Sequence, residues 1–279
     1  MTIQRKRLAL IALALAPAFS IASVAFAGDT QTVPEIRPGF LKGYLPREAL
    51  PDSAALLPPP PAVGSAAAAL DQEMARESLA LRDTPRWKLA AMDADLRFPD
   101  AAGAFSCALG VAVDEQATPR LFTMLRRVLT DAGVATYAAK DKYRHARPFT
   151  LDEQPICTPD KEQQLRTDGS YPSGHTAIGW AWALVLAEAS PEQSNVIFAR
   201  GLAFGENRIV CNVHWASDVI EGRTIGAATV AKLHTDPTFL ADLAAAKAEL
   251  VAARDRQLAP QRDCKFEAEA LAQTMPAAP

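Results

Sequence analysis

From residue 63 to residue 256 apolar side chains return every three or four positions, the spacing of one helix face, and few segments alternate with the period of a half-buried strand. Ser65 can cap a helix over 66–81 with Leu70, Met74 and Leu81 facing inward. Pro85 suits the first turn of a second helix that runs toward Leu96 and stops before Pro99. A third, rich in small residues, is expected over 101–113. Thr118-Pro119 opens a fourth over 120–131, and Gly133 separates it from a fifth ending near His145. Irregular chain carrying Pro148, Pro155 and Pro159 leads to Pro172. The pattern then predicts helices over 174–188, 191–209, 215–234 and 237–256, each opened by a proline, a cap or a polar turn. The fold class is all-α, a single-domain helical bundle over 63–256.

The flanks read differently. Pro34, Pro38, Pro46, Pro51 and the run Pro58 to Pro61 fix φ and remove backbone donors, so 28–62 is expected as a proline-rich extended arm. A C-terminal tail, 257–279, is expected to be ragged. At the other end Arg5, Lys6 and Arg7 precede the apolar run Leu8 to Val24 and the small-residue site Ala25-Phe26-Ala27, which together describe a secretory signal peptide over 1–27. No other apolar run reaches the roughly 20 residues of a membrane span. The expected mature protein is therefore soluble and periplasmic, without membrane association after signal cleavage.

Cleavage would remove three cations and no anion, taking the formal charge from −3 to −6. A chain so acidic has no general attraction for nucleic acid or anionic lipid, and its cations matter where they cluster. Cys107, Cys157, Cys211 and Cys264 allow two disulfides in an oxidising compartment, with three connectivities that sequence does not rank. Burial as free thiols is the other reading.

Three stretches carry candidate chemistry. In Pro172-Ser173-Gly174-His175 a serine precedes an apolar helical run. The free N–H groups and positive dipole end of that helix make an anion site, with His175 beside it. In Lys140 to Pro148, Lys140 and Arg147 lie two helical turns apart and can converge on one anion if the helix continues that far. Lys142 and Arg144 read as a solvated basic face. In Asn207 to Asp218, His214 and Asp218 are four apart, so on a helix face the carboxylate can accept the imidazole Nδ1–H and leave Nε2 as a free nucleophile. His145 and His234 match no pattern and are expected at the surface or at helix ends; Trp180, Trp182 and Trp215 are expected as core or pocket wall.

Taken in order, Lys140 and Arg147-Pro148, then Pro172-Ser173-Gly174-His175, then Arg208, His214 and Asp218 form a signature that resembles the phosphatidic acid phosphatase type 2 superfamily. Within it the chain is similar to the bacterial class A non-specific acid phosphatases. The likeness includes Lys88-Leu89-Ala90-Ala91 with Asp93, and covers most of 50–235. The resemblance implies hydrolysis of small-molecule phosphate monoesters by a homodimer, without a cofactor or a metal. It implies that His214 attacks phosphorus, Asp218 orients it, and His175 protonates the leaving group. Lys140, Arg147, Ser173, Gly174 and Arg208 would hold the phosphoryl oxygens. Family members commonly have Ser directly before the Arg of the third stretch; Asn207 stands there instead, and altered affinity or substrate preference is expected from it. An acidic optimum follows if His175 must be protonated while His214 keeps its lone pair. Two other readings use the same residues: a vanadium-dependent haloperoxidase, and a non-catalytic periplasmic phosphate-binding protein.

Overall fold

Residues 33–275 are described by the structure, a computed structural model, so the signal-peptide reading of 1–27 lies outside them. The first helices start where local chemistry dictates. Ser65 Oγ accepts the Ala68 N–H and opens α1, Ala66–Ser78; Thr84 caps α2, Pro85–Asp93, with Pro85 in its first turn. Pro119 likewise begins α3, Pro119–Ala135, which is followed by the short α4, Tyr137–Tyr143. Ser173 caps α5, Gly174–Ala189; then come α6, Ser194–Val210, and α7, Ala216–Leu233. Asp236 and Asp263 cap α8, Pro237–Asp255, and α9, Cys264–Leu271.

Helix α5 is apolar on every side, which is the composition of a helix meant for burial. It forms the centre of the bundle, in contact with α3, α6, α7 and α8. Trp182, on α5, packs edge-on against Phe105 and Phe204 in the main core. Glycines bring α7 closest. A Cβ on Gly222 would lie 2.6 Å from the Ser173 carbonyl oxygen, and one on Gly226 would lie 2.6 Å from that of Ala177. Only a glycine allows two helix backbones to approach this closely. The start of α7 is thereby held against the start of α5.

Several expectations need correction. The third helix is instead a 3₁₀ stretch, Asp100–Phe105, followed by the single turn Ser106–Leu109, which Gly110 ends at φ +72°. The tail is not ragged in its described part: α9 packs on α2, and Cys264 is bonded to Cys107. The proline-rich segment is not uniformly extended. It holds a small antiparallel pair, β1 Glu35–Arg37 with β2 Phe40–Leu41, and one helical turn, Ser53–Leu56. It is also tied to its own bundle, because Asp131 of α3 accepts the N–H groups of Tyr44 and Leu45, and Thr130 donates to the Leu41 carbonyl. Among the described residues no helix is long and apolar enough to cross a membrane.

Candidate active site

Helix ends converge on one cavity of about 520 Å³, lined at its base by Lys140, Arg147, Gly174, His175, Arg208 and His214. Each side chain arrives from a helix terminus or a turn.

His214 lies in the turn between α6 and α7 rather than on a helix face. Asn212 makes that turn with φ +59°, a conformation asparagine tolerates. Asp218 sits in the first turn of α7 and reaches back. Its Oδ2 accepts the Trp215 N–H at 2.9 Å and faces His214 Nδ1 at 3.2 Å. On the other side of the ring Arg147 Nη1 is 3.1 Å from Nε2. Guanidinium only donates, so Nε2 carries the lone pair and Nδ1 the proton. Burial, then the Arg147 charge, pushes the His214 imidazole well below its ordinary range, so the lone pair persists far into acid. Burial alone would raise the Asp218 carboxyl; hydrogen bonds from His145 and His214 hold it well below the usual carboxylate range.

His175 stands in the first turn of α5, its Nε2 donating to the Ala94 carbonyl at 3.1 Å, which leaves Nδ1 as the acceptor. Burial and the neighbouring Arg208 push this imidazole down to about 3. Both imidazoles are therefore neutral at mildly acidic pH. Ser173 is the cap itself. Its hydroxyl accepts from the Thr176 N–H and hydroxyl, its N–H donates to the Asp218 carbonyl at 2.9 Å, and it is not among the residues that line the cavity. The N–H groups of Gly174 and His175 have no hydrogen-bond partner among the described residues.

The cations arrive by separate routes. Helix α4 ends at Tyr143 and Arg144 turns left-handed at φ 44°, so Arg147 is in a loop and does not share a helix face with Lys140. They meet because the loop before α5 folds back: Gly169 offers its carbonyl to both Lys140 Nζ and Arg147 Nη2, and a Cβ there would lie 3.0 Å from the Lys140 carbonyl oxygen. Burial, then the Arg147 charge, lowers the Lys140 ammonium to about 8. Arg208, at the end of α6, donates through Nη1 to the Ala90 carbonyl at 3.1 Å, while its buried Nε has no hydrogen-bond partner among the described residues. Burial lowers it to about 10, and it stays cationic.

Sequence reasoning missed three participants. Asp168 pairs with Arg147 at 2.9 Å and with Lys140 at 3.6 Å, inside the cavity. Only its place next to Gly169 hinted at this. His145, expected away from the site, brings Nδ1 to 3.4 Å from Asp218 Oδ1; its signal was its position two residues before Arg147. Ile36, Arg37 and Phe40 of the β1–β2 pair, with Tyr137 and Leu96, form the outer wall, which no local pattern announces. Asn207 moves the other way. It faces away from the cavity and bridges Arg86 Nε at 2.6 Å and Asp93 Oδ2 at 2.8 Å, in a buried network that includes Arg200 and Arg262. It shares α6 with Arg208 but is not among the residues that line the cavity. Trp182 is core and Trp215 is buried beside the site, its indole donating to the Ala146 carbonyl at 2.7 Å. His234 lies at the end of α7, as expected.

Comparison with known proteins adds an independent line. Residues 120–239 match the PAP2 superfamily model. The non-specific acid phosphatases of Providencia stuartii and Salmonella typhimurium are 42% and 43% identical to the chain over 207 and 206 residues, each 74% of this chain, and 84% and 82% of their own lengths. An acid phosphatase of Zymomonas mobilis is 39% identical over 208 residues, 74% of this chain and 79% of its own.

Proposed function

The chain belongs to the PAP2 superfamily, among the bacterial non-specific acid phosphatases, and from that premise we propose that it hydrolyses phosphate monoesters through a phosphohistidine at His214. One observation carries the reading: a buried imidazole with its Nε2 lone pair facing a cavity of cations and its Nδ1–H on a buried carboxylate. That is an activated nucleophile next to a built oxyanion site.

In this reading the phosphoryl group takes the donors of Arg147 and Lys140, the free Arg208 Nε, and the Gly174 and His175 N–H groups. The Ser173 hydroxyl supports the same turn as its cap. His214 Nε2 attacks phosphorus as the ester P–O bond breaks, and the leaving oxygen takes a proton from His175 Nδ1. Water then attacks the phosphohistidine, gives a proton to His175, and releases inorganic phosphate and His214. Fixed cations supply the charge stabilisation that phosphoryl transfer requires.

Because the His175 imidazole is neutral at mildly acidic pH, its proton has to come with the substrate. A phosphate monoester loses its second proton near pH ~6, so the monoanion that dominates below that pH brings in the proton the leaving group needs. The acidic optimum thus rests on the ester as much as on the protein. The cavity outside the base, walled by Phe40, Tyr137 and Leu96, leaves room for varied alcohols. We read residues 1–27 as an export signal and the mature enzyme as periplasmic and homodimeric. The disulfides Cys107–Cys264 and Cys157–Cys211 accord with an oxidising compartment.

Rapid quenching with a ³²P-labelled phosphomonoester tests this. The expected result is an acid-labile, base-stable phosphate on residue 214, absent in His214→Ala, with turnover unchanged by EDTA. His175→Ala is expected to slow esters with poor leaving groups far more than aryl esters. Full phosphoenzyme in His214→Ala would overturn the assignment.

A further inference from the structure

Asp218 is fully buried, and its two oxygens face different partners. Oδ2 serves His214 and the Trp215 N–H, while Oδ1 faces His145 Nδ1. The chain from His145 to Arg147 therefore spans the His214–Asp218 pair, with Arg147 on the nucleophilic nitrogen and His145 on the outer carboxylate oxygen. Its backbone is pinned there, since the His145 carbonyl accepts the Ser170 N–H at 2.9 Å and the Ala146 carbonyl accepts the Trp215 indole.

The tautomer of His145 follows from its neighbours. Ser170 Oγ donates to the Ala146 carbonyl at 3.3 Å, so it accepts from His145 Nδ1 at 3.2 Å. The proton on Nδ1 is shared between Ser170 Oγ and Asp218 Oδ1. Nε2 has no partner among the described residues, and the side chain is 24% exposed. The charged or titratable groups around the ring are Asp218 and Asp71 (the latter held by Ser217), Tyr171 beside it, and Arg144 and Arg147 on its own segment.

We propose that His145 is a positioning residue that aims the Asp218 carboxylate at His214. By holding Oδ1, His145 leaves Oδ2 in line with His214 Nδ1–H, so the carboxylate can support the positive charge that grows on His214 as the N–P bond forms. The inference rests on His214 being the nucleophile.

The test is kcat and KM for an aryl phosphate in the wild-type enzyme, His145→Asn and His145→Ala, with the His214 phosphoenzyme trapped in the wild type in the same series. A hydrogen bond to a charged group predicts a fall in kcat of about tenfold in His145→Ala with KM little changed. Asparagine places an amide N–H where Nδ1–H stood, so His145→Asn recovers most of kcat. Wild-type kcat in His145→Ala would overturn the proposal, as would an Asn variant no better than Ala. If the Ala variant does not fold, His145→Phe, which keeps the ring without a donor, takes its place in the comparison. Absence of the wild-type phosphoenzyme would instead sink the nucleophile assignment.

Discussion

Asp168 is a carboxylate in a cavity built for an anion, and its place there has consequences for Lys140. Burial and Arg147 draw the Lys140 ammonium down to about 8, while the Asp168 charge pushes it up. Lysine is cationic below its pKa, so phosphate binding through Lys140 is lost as pH rises through that value. Asp168→Asn removes the opposing charge and lets Lys140 titrate earlier. The basic limb of kcat/KM is expected to move down by roughly one unit, read from a pH profile on one aryl ester. An unmoved limb would mean that Lys140 does not set it. The candidates Lys140, Arg147, His175, Arg208 and His214 were legible in the sequence as an ordered signature that resembles a family, although the helix-face spacing expected of Lys140 with Arg147 and of His214 with Asp218 did not hold. Asp168 and His145 were not, since their roles exist only when separate loops meet.

At the scale of elements, catalysis depends on how closely α7 lies against α5. Gly222 touches the Ser173 carbonyl and Thr176, which belong to the turn that presents His175, and the Ser173 N–H is bonded to Asp218. A methyl group at residue 222 must push apart the two helix starts that hold the two imidazoles. Gly222→Ala is expected to cost about 1–3 kcal/mol in denaturant unfolding and up to about a hundredfold in kcat. Gly226→Ala, one turn farther from the site, should cost similar stability and less rate. Helix α2 works from the opposite side, its final carbonyls at Ala90 and Ala94 holding Arg208 and His175. The glycines themselves are visible in the sequence, but what each one touches is not.

For the molecule as a whole, two covalent ties divide the labour. Cys157–Cys211 joins the loop between Arg147 and Asp168 to the turn that leads to His214, closing 54 residues. Cys107–Cys264 fastens α9 across 157 residues, where Glu267 and Arg262 complete the buried network around Asp93 and Arg200. Loop-closure entropy assigns them about 4 and 5 kcal/mol respectively. Paired Cys→Ser replacement at either bridge should lower the urea midpoint, but only loss of Cys157–Cys211 should also raise KM, because that bridge ties the loop after Arg147 to the turn that holds His214. Equal KM values in the two double variants would contradict this division.

By itself the sequence determined the helical class, most helix starts and the candidate residues for phosphate binding. Caps, prolines and apolar periodicity act within a few residues, so they can be read along the chain. Only the tertiary structure decided the disulfide pairing, the turn that holds His214, the inward place of Asp168 and His145, the outward face of Asn207, and the use of the proline-rich segment as cavity wall. Each of these is a contact between residues far apart in sequence, and its energy depends on burial and distance that exist only once the helices have packed.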